Sequence, residues 1–183
     1  MSKQGTVVDG QTVRFVRTLP GPIERVWEYI TNPEKRMRWL AGGITEPRVG
    51  GKVVMEFVHT RISDTPEPTP VEFKKIENGC GFEGRVLRWE PHTLFAMSWG
   101  SEKGVPDSEV EFSLAQQGKD VLLTLTHRKL PTRHEMLSVS GGWHAHLDIL
   151  EDELVLGRRR AFWANFLANR GQYEGIVPAN AGA

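Results

Sequence analysis

The segment Pro131 to Leu156, PTRHEMLSVSGGWHAHLDILEDELVL, is the longest run in the chain with a helical repeat, and it constrains everything around it. At about 100° per residue, Met136, Val139, Trp143, Leu147, Leu150 and Leu154 fall within one apolar stripe, whereas Glu151 and Asp152 lie outside it. Such a helix must cover an apolar surface. Almost everything before it reads as strands, so the expected partner is a sheet with one greasy face, and the helix is its lid. Trp143 and the neighbouring His146 then decide whether the space beneath is solid or hollow.

The strands announce themselves by alternation. Thr12 to Leu19 sets Val13, Phe15 and Leu19 on one side and Arg14 and Thr18 on the other, and Pro20-Gly21-Pro22 ends it. Ile23, Val26, Trp27 and Ile30 then recur at helical spacing, with Trp27 expected to pin this helix to the sheet. Asn32-Pro33 breaks it and starts a second short helix through Trp39-Leu40. Lys52 to Thr60 alternates again with Val53, Met55 and Phe57 inward, and the proline-rich SDTPEPTP of Ser63 to Pro70 reads as a surface loop. Residues 82–89, 93–99, 108–116 and 121–129 are four further strands whose short connections favour antiparallel neighbours. Phe95/Met97/Trp99, Val110/Phe112/Leu114 and Val121/Leu123/Leu125 should face one way, and Glu109, Glu111, Thr124 and Thr126 the solvent. The parity of 82–89 stays open, because Val86 competes with Leu87 and Trp89.

Gly157 suits a helix C-cap. A second helical piece, Arg160 to Asn169, carries Phe162, Trp163, Phe166 and Leu167, which should pack on the body or on a second subunit, with Trp163 the candidate subunit contact. Pro178 to Ala183 is expected to be disordered. A length of 183 residues fits one domain with an added tail. The 23 basic and 23 acidic residues cancel, which excludes a net field drawing the chain to nucleic acid or an anionic membrane, and Arg158 to Arg160 reads as a solvated turn. The single Cys80 excludes an internal disulfide and reads as a buried or idle thiol. MSKQGTVVDGQTVRF lacks the apolar run of a secretion signal, and no later stretch approaches the ~20 apolar residues of a membrane span, so a soluble cytoplasmic protein is expected.

Four stretches carry a family likeness: PIERVWEYITNPEKRMRWL at 22–40, GGKVVMEF at 50–57, LLTLTH at 122–127 and GWHAHLDIL at 142–150. In this order they resemble the START-like (SRPBCC) superfamily and, within it, the family named after the Hsp90-ATPase activator. FWANF with Tyr173-Glu174 resembles a C-terminal extension of some bacterial members. The resemblance implies an α+β, helix-grip (START/Bet v 1-like) fold, a curved antiparallel sheet wrapped around a long C-terminal helix, with the grip domain over residues 1–157 and the extension and tail over 158–183. It also implies a cavity that in many relatives accepts an apolar or aromatic small molecule, and in some distant ones supports cyclase or hydrolase chemistry. The eukaryotic activators add a separate N-terminal domain, which this chain, opening its fold near Thr12, is expected to lack.

Chemistry is sparse by comparison. His144 and His146, two apart on a helix, point about 200° away from each other, so H-x-H cannot hold one metal ion. His144 and Asp148 share a face off the apolar stripe and read as a surface ion pair. His146, at the stripe's edge, is either a core histidine bonded to a backbone group or a polar contact orienting a ligand, and His127 divides the same way. Glu56, Glu72, Arg85 and Asp107 are scattered, no Ser/His/Asp or Cys/His arrangement emerges, and no G-x-x-x-x-G-K or G-x-G-x-x-G occurs. The expectation is therefore a non-enzymatic receptor for a small hydrophobic or aromatic molecule, without metal or cofactor, using Trp39, Phe57, Met97, Trp99, Trp143 and His146. A chaperone-interacting module and a cyclase- or hydrolase-type enzyme are its rivals, and a homodimer through the extension is a further expectation.

Overall fold

Alternation resolves into seven strands among the described residues, which in this computed structural model are 3–100 and 107–181. They are β1 (Thr6–Asp9), β2 (Thr12–Pro20), β3 (Lys52–Phe57), β4 (Cys80–Glu90), β5 (Leu94–Trp99), β6 (Ser108–Gln117) and β7 (Asp120–Arg128). All neighbours pair antiparallel, in the order β1-β2-β7-β6-β5-β4-β3. Helices α1 (Ile23–Thr31) and α2 (Pro33–Arg36) follow β2, and α3 (Arg133–Val155) and α4 (Phe162–Tyr173) close the chain. One α+β body results, a seven-stranded sheet gripping α3. Among the described residues no helix is long and apolar enough to cross a membrane.

Local chemistry sets the boundaries of α3. Thr132 accepts from the Glu135 N–H, its hydroxyl bonds the Glu135 carboxylate in turn, and Gly157 turns the chain out at φ +62. The inward sets of β5, β6 and β7 are buried as alternation requires, except Trp99 at the end of β5, which is half-buried. A bulge in β4 settles the parity left open there. Val86 pairs with Met97, yet Arg88, two residues on, pairs with Ala96, only one residue back. The extra residue, Leu87, is pushed outward, so Val86 and Trp89 both face in, and Trp89 meets Phe95 edge-on at 5.4 Å. Trp27 anchors α1 by a T-shaped contact with Trp89 at 5.1 Å.

Several expectations need correction. The fold opens at Thr6, since β1 adds an edge strand ahead of β2. Thr126 is buried, because its cross-strand neighbours are Arg14 and Glu111, and Glu111 belongs to an ion-paired row with Arg88 and Arg128 whose long side chains cover a threonine. The largest departure concerns the charged side of α3. Helix α4 lies along it, so His144, Asp148 and Asp152 are buried, and the His144–Asp148 contact of 3.7 Å is internal. Asp148 receives Arg17 from β2 at 3.5 Å and Arg160 at 3.2 Å, and Arg160 also holds Asp152 at 2.7 Å. Arg159 pairs with Asp64 at 2.5 Å. Two of the three consecutive arginines are therefore braces between segments.

Trp163, expected at a subunit contact, is buried within the chain, stacked on Phe73 at 4.8 Å. The tail is ordered through Ala181. Val177 and Ala181 are buried, and the Arg133 guanidinium donates to the carbonyls of Glu174, Val177 and Pro178. Its last two residues lie outside the described residues. Cys80 is exposed at the start of β4.

Candidate functional site

Val139, Gly142, Trp143 and His146 stand at i, i+3, i+4 and i+7 on α3, and this face of the helix walls a cavity of about 200 Å³. Opposite them lie Phe57 from the end of β3, Trp99 from the end of β5 and Leu40 from the turn after α2, with Ser138 exposed at the edge. The rings are tightly set. Trp99 and Trp143 have centroids 4.9 Å apart, Phe57 and Trp99 5.8 Å, and Trp143 and His146 6.5 Å. Gly142 matters because a Cβ built there meets nothing within 4 Å, whereas one at Gly141 would stand 3.2 Å from Phe166 of α4.

Buried hydrogen bonds fix these walls. The Trp143 indole N–H donates to His127 Nδ1 at 3.0 Å, so His127 carries its proton on Nε2, which lies 2.7 Å from the Ser108 hydroxyl. Ser108 reaches back to the Trp99 carbonyl at 3.4 Å. One chain of bonds therefore ties both tryptophans to β6 and β7. On the other side, His146 Nδ1 stands 2.7 Å from the Trp39 carbonyl, while the Trp39 indole donates to the Tyr29 carbonyl at 2.7 Å.

Burial keeps the histidines uncharged. It pushes His127 down to about 3, and His146 likewise to about 3 with help from His59, whose ring centroid is 5.6 Å away. His59 is itself pushed down to about 4 by burial and stacks on Phe162 at 4.5 Å. Among the described residues, lysine, arginine, aspartate and glutamate are absent from the cavity wall. Glu56 and Arg85 are exposed, Asp107 is exposed before β6, and Glu72 is engaged by Arg170 at 3.0 Å. His144 turns to the Tyr173 hydroxyl at 2.7 Å, well away from the partner of His146. Among the described residues no group of three His, Cys, Asp or Glu is placed to hold a metal ion.

Four of the six candidate residues, Phe57, Trp99, Trp143 and His146, wall the cavity together. Trp39 and Met97 do not. Both are fully buried, Trp39 edge-on to Phe112 at 6.5 Å and Met97 between Val86 and Val110 in the sheet. Trp39 contributes through its carbonyl alone. Leu40, Ser138, Val139 and Gly142 complete the wall; Val139 belongs to the apolar stripe that carries Trp143, whereas the other three have no signal in the sequence that marks them as wall residues. A second groove of about 280 Å³, over Phe57, His59, Cys80, Phe82 and Trp99, shares Phe57 and Trp99 with this cavity. A larger concavity, about 600 Å³, lies elsewhere, along Thr6, Val7, Arg14, Val16 and Ile176. It is lined by neither aromatic rings nor histidine, so the cavity under α3 is the stronger candidate.

Comparison with known proteins agrees with this architecture. The family described as Activator of Hsp90 ATPase homolog 1-like protein matches residues 20–155. The solution structure of the protein encoded by gene BPP1335 from Bordetella parapertussis is 38% identical, with a TM-score of 0.80 over 94% of this chain and 90% of that one. CalU16 from Micromonospora echinospora is 23% identical, with a TM-score of 0.66 over 92% and 89% of the two chains. DynU16, from the dynemicin biosynthetic locus, is 19% identical, with a TM-score of 0.64 over 81% of this chain and 49% of that one. The latter two speak to the fold alone. No curated protein matches the chain.

Proposed function

Because the chain belongs to the family of Activator of Hsp90 ATPase homolog 1-like proteins, a helix-grip family of the SRPBCC superfamily, we propose that it is a receptor for a small, flat, hydrophobic or aromatic molecule held without turnover. The observation that carries this reading is the cavity of about 200 Å³ walled by Phe57, Trp99, Trp143 and His146. Its size suits one or two rings, since an apolar cavity of about 150 Å³ holds benzene. Turnover is not part of the proposal. The wall offers one neutral imidazole and one exposed hydroxyl, and among the described residues neither has an orienting carboxylate beside it.

The test exploits Gly142. A leucine there projects into open space and fills the cavity from the helix side. A panel of uncharged mono- and bicyclic aromatics should raise the melting temperature of the wild type, by about 5–10 °C at a hundredfold excess over Kd. Gly142→Leu should melt cooperatively and show no such rise. A wild type that answers to no compound, or a leucine variant that binds as well as the parent, overturns the proposal.

A further inference from the structure

The tautomer of His146 narrows the class of ligand, and this inference rests on the receptor reading above. Nδ1 of His146 is 2.7 Å from the Trp39 carbonyl. A carbonyl only accepts, so Nδ1 carries the proton and Nε2 is left with a lone pair. Burial opposes a second proton on the ring. Nε2 has no protein partner among the described residues, yet it is not one of the polar atoms sealed from water. The cavity wall therefore presents an unspent hydrogen-bond acceptor.

The other polar groups of the wall complete the pattern. The Trp143 N–H is committed to His127. The Ser138 hydroxyl and the Trp99 indole N–H have no protein partner among the described residues. We propose that the ligand is an uncharged aromatic hydroxy compound whose O–H donates to Nε2 of His146, with its ring system among Phe57, Trp99 and Trp143. A hydroxyl suits the wall twice, because it donates to the imidazole and its oxygen can accept from the free donors. A purely apolar analogue leaves Nε2 desolvated and unpaired. A carboxylate meets the Nε2 lone pair in a cavity whose described residues include no lysine or arginine to balance its charge.

Isothermal titration of the full chain with 2-naphthol, 2-methylnaphthalene and 2-naphthoate tests this directly. The expected order places 2-naphthol about tenfold tighter than the methyl analogue, the worth of one hydrogen bond, and the carboxylate weakest. The His146→Phe variant should bind naphthol and methylnaphthalene alike. Should that variant fail to fold, the ¹⁵N resonance of Nε2 in the wild type serves instead, moving with naphthol and staying still with methylnaphthalene. Equal affinity of naphthol and methylnaphthalene, tightest binding of the carboxylate, an unchanged preference in His146→Phe or an unmoved Nε2 resonance overturns the hydroxyl assignment while the receptor reading stands. Binding of none of the three overturns both.

Discussion

Acidification from pH 7 to pH 5 should cost this protein much of its stability, and two histidines set most of the amount. His127 and His146 are each pushed down to about 3 by burial, against about 6.5 in an unfolded chain. The unfolded state therefore binds protons that the folded state refuses. Stability from these two rings is complete above about pH 6.5 and drains as the pH falls toward 3. At about 1.4 kcal/mol per ring per pH unit, less near 6.5, each ring costs about 2 kcal/mol between pH 7 and 5, and the pair about 4 kcal/mol; His59, pushed down to about 4, adds about 2 kcal/mol more. That is a large part of the 5–15 kcal/mol typical of a domain. Urea denaturation at pH 7, 6 and 5 measures it. The wild type should lose about 6 kcal/mol and His127→Phe about two-thirds as much over the same interval. A wild type that loses less than about 1 kcal/mol refutes the claim that both rings are buried neutral.

Other perturbations have definite signs. Gly142→Ala should raise stability by about 0.5–1 kcal/mol, since the new methyl meets open space in a helix interior, while Gly141→Ala should gain nothing because its Cβ presses on Phe166; urea midpoints decide both. Asp148→Asn should destabilise by about 3–5 kcal/mol, because the buried Arg17 would lose its ion-pair partner. A loss below about 1 kcal/mol there would mean that Arg17 reaches water.

The sheet and the lid were legible because alternation and helical spacing are local properties. Parity placed Phe95, Met97 and Trp99 on one inner face, and helical spacing placed Trp143 and His146 on the side of α3 that faces it. Parity fixes a face and not a depth, which is why Met97, inward as expected, is buried in the sheet away from the cavity wall. The bulge at Leu87 could not be read, since a single inserted residue leaves both phases of the repeat plausible. The polar side of α3 was misjudged for a related reason. His144, Asp148 and Asp152 look like a solvated face until α4 arrives with Arg160, Asn165 and Tyr173 to satisfy them. One clue was present: Arg17 shares the inward parity of Val13, Phe15 and Leu19, and a charge at such a position requires a buried partner. Its partner lies 131 residues away, beyond any local pattern.

The most direct measurement is an NMR titration of the protein with 2-naphthol that follows the six indole N–H resonances, a count set by the tryptophans of the chain. A receptor site beneath α3 requires Trp99 and Trp143 to move saturably and together, with Trp27, packed on Trp89 outside the cavity, left in place. Shifts confined to the backbone of Val7, Arg14 and Val16, around the larger outer groove, with Trp99 and Trp143 unmoved, would contradict it.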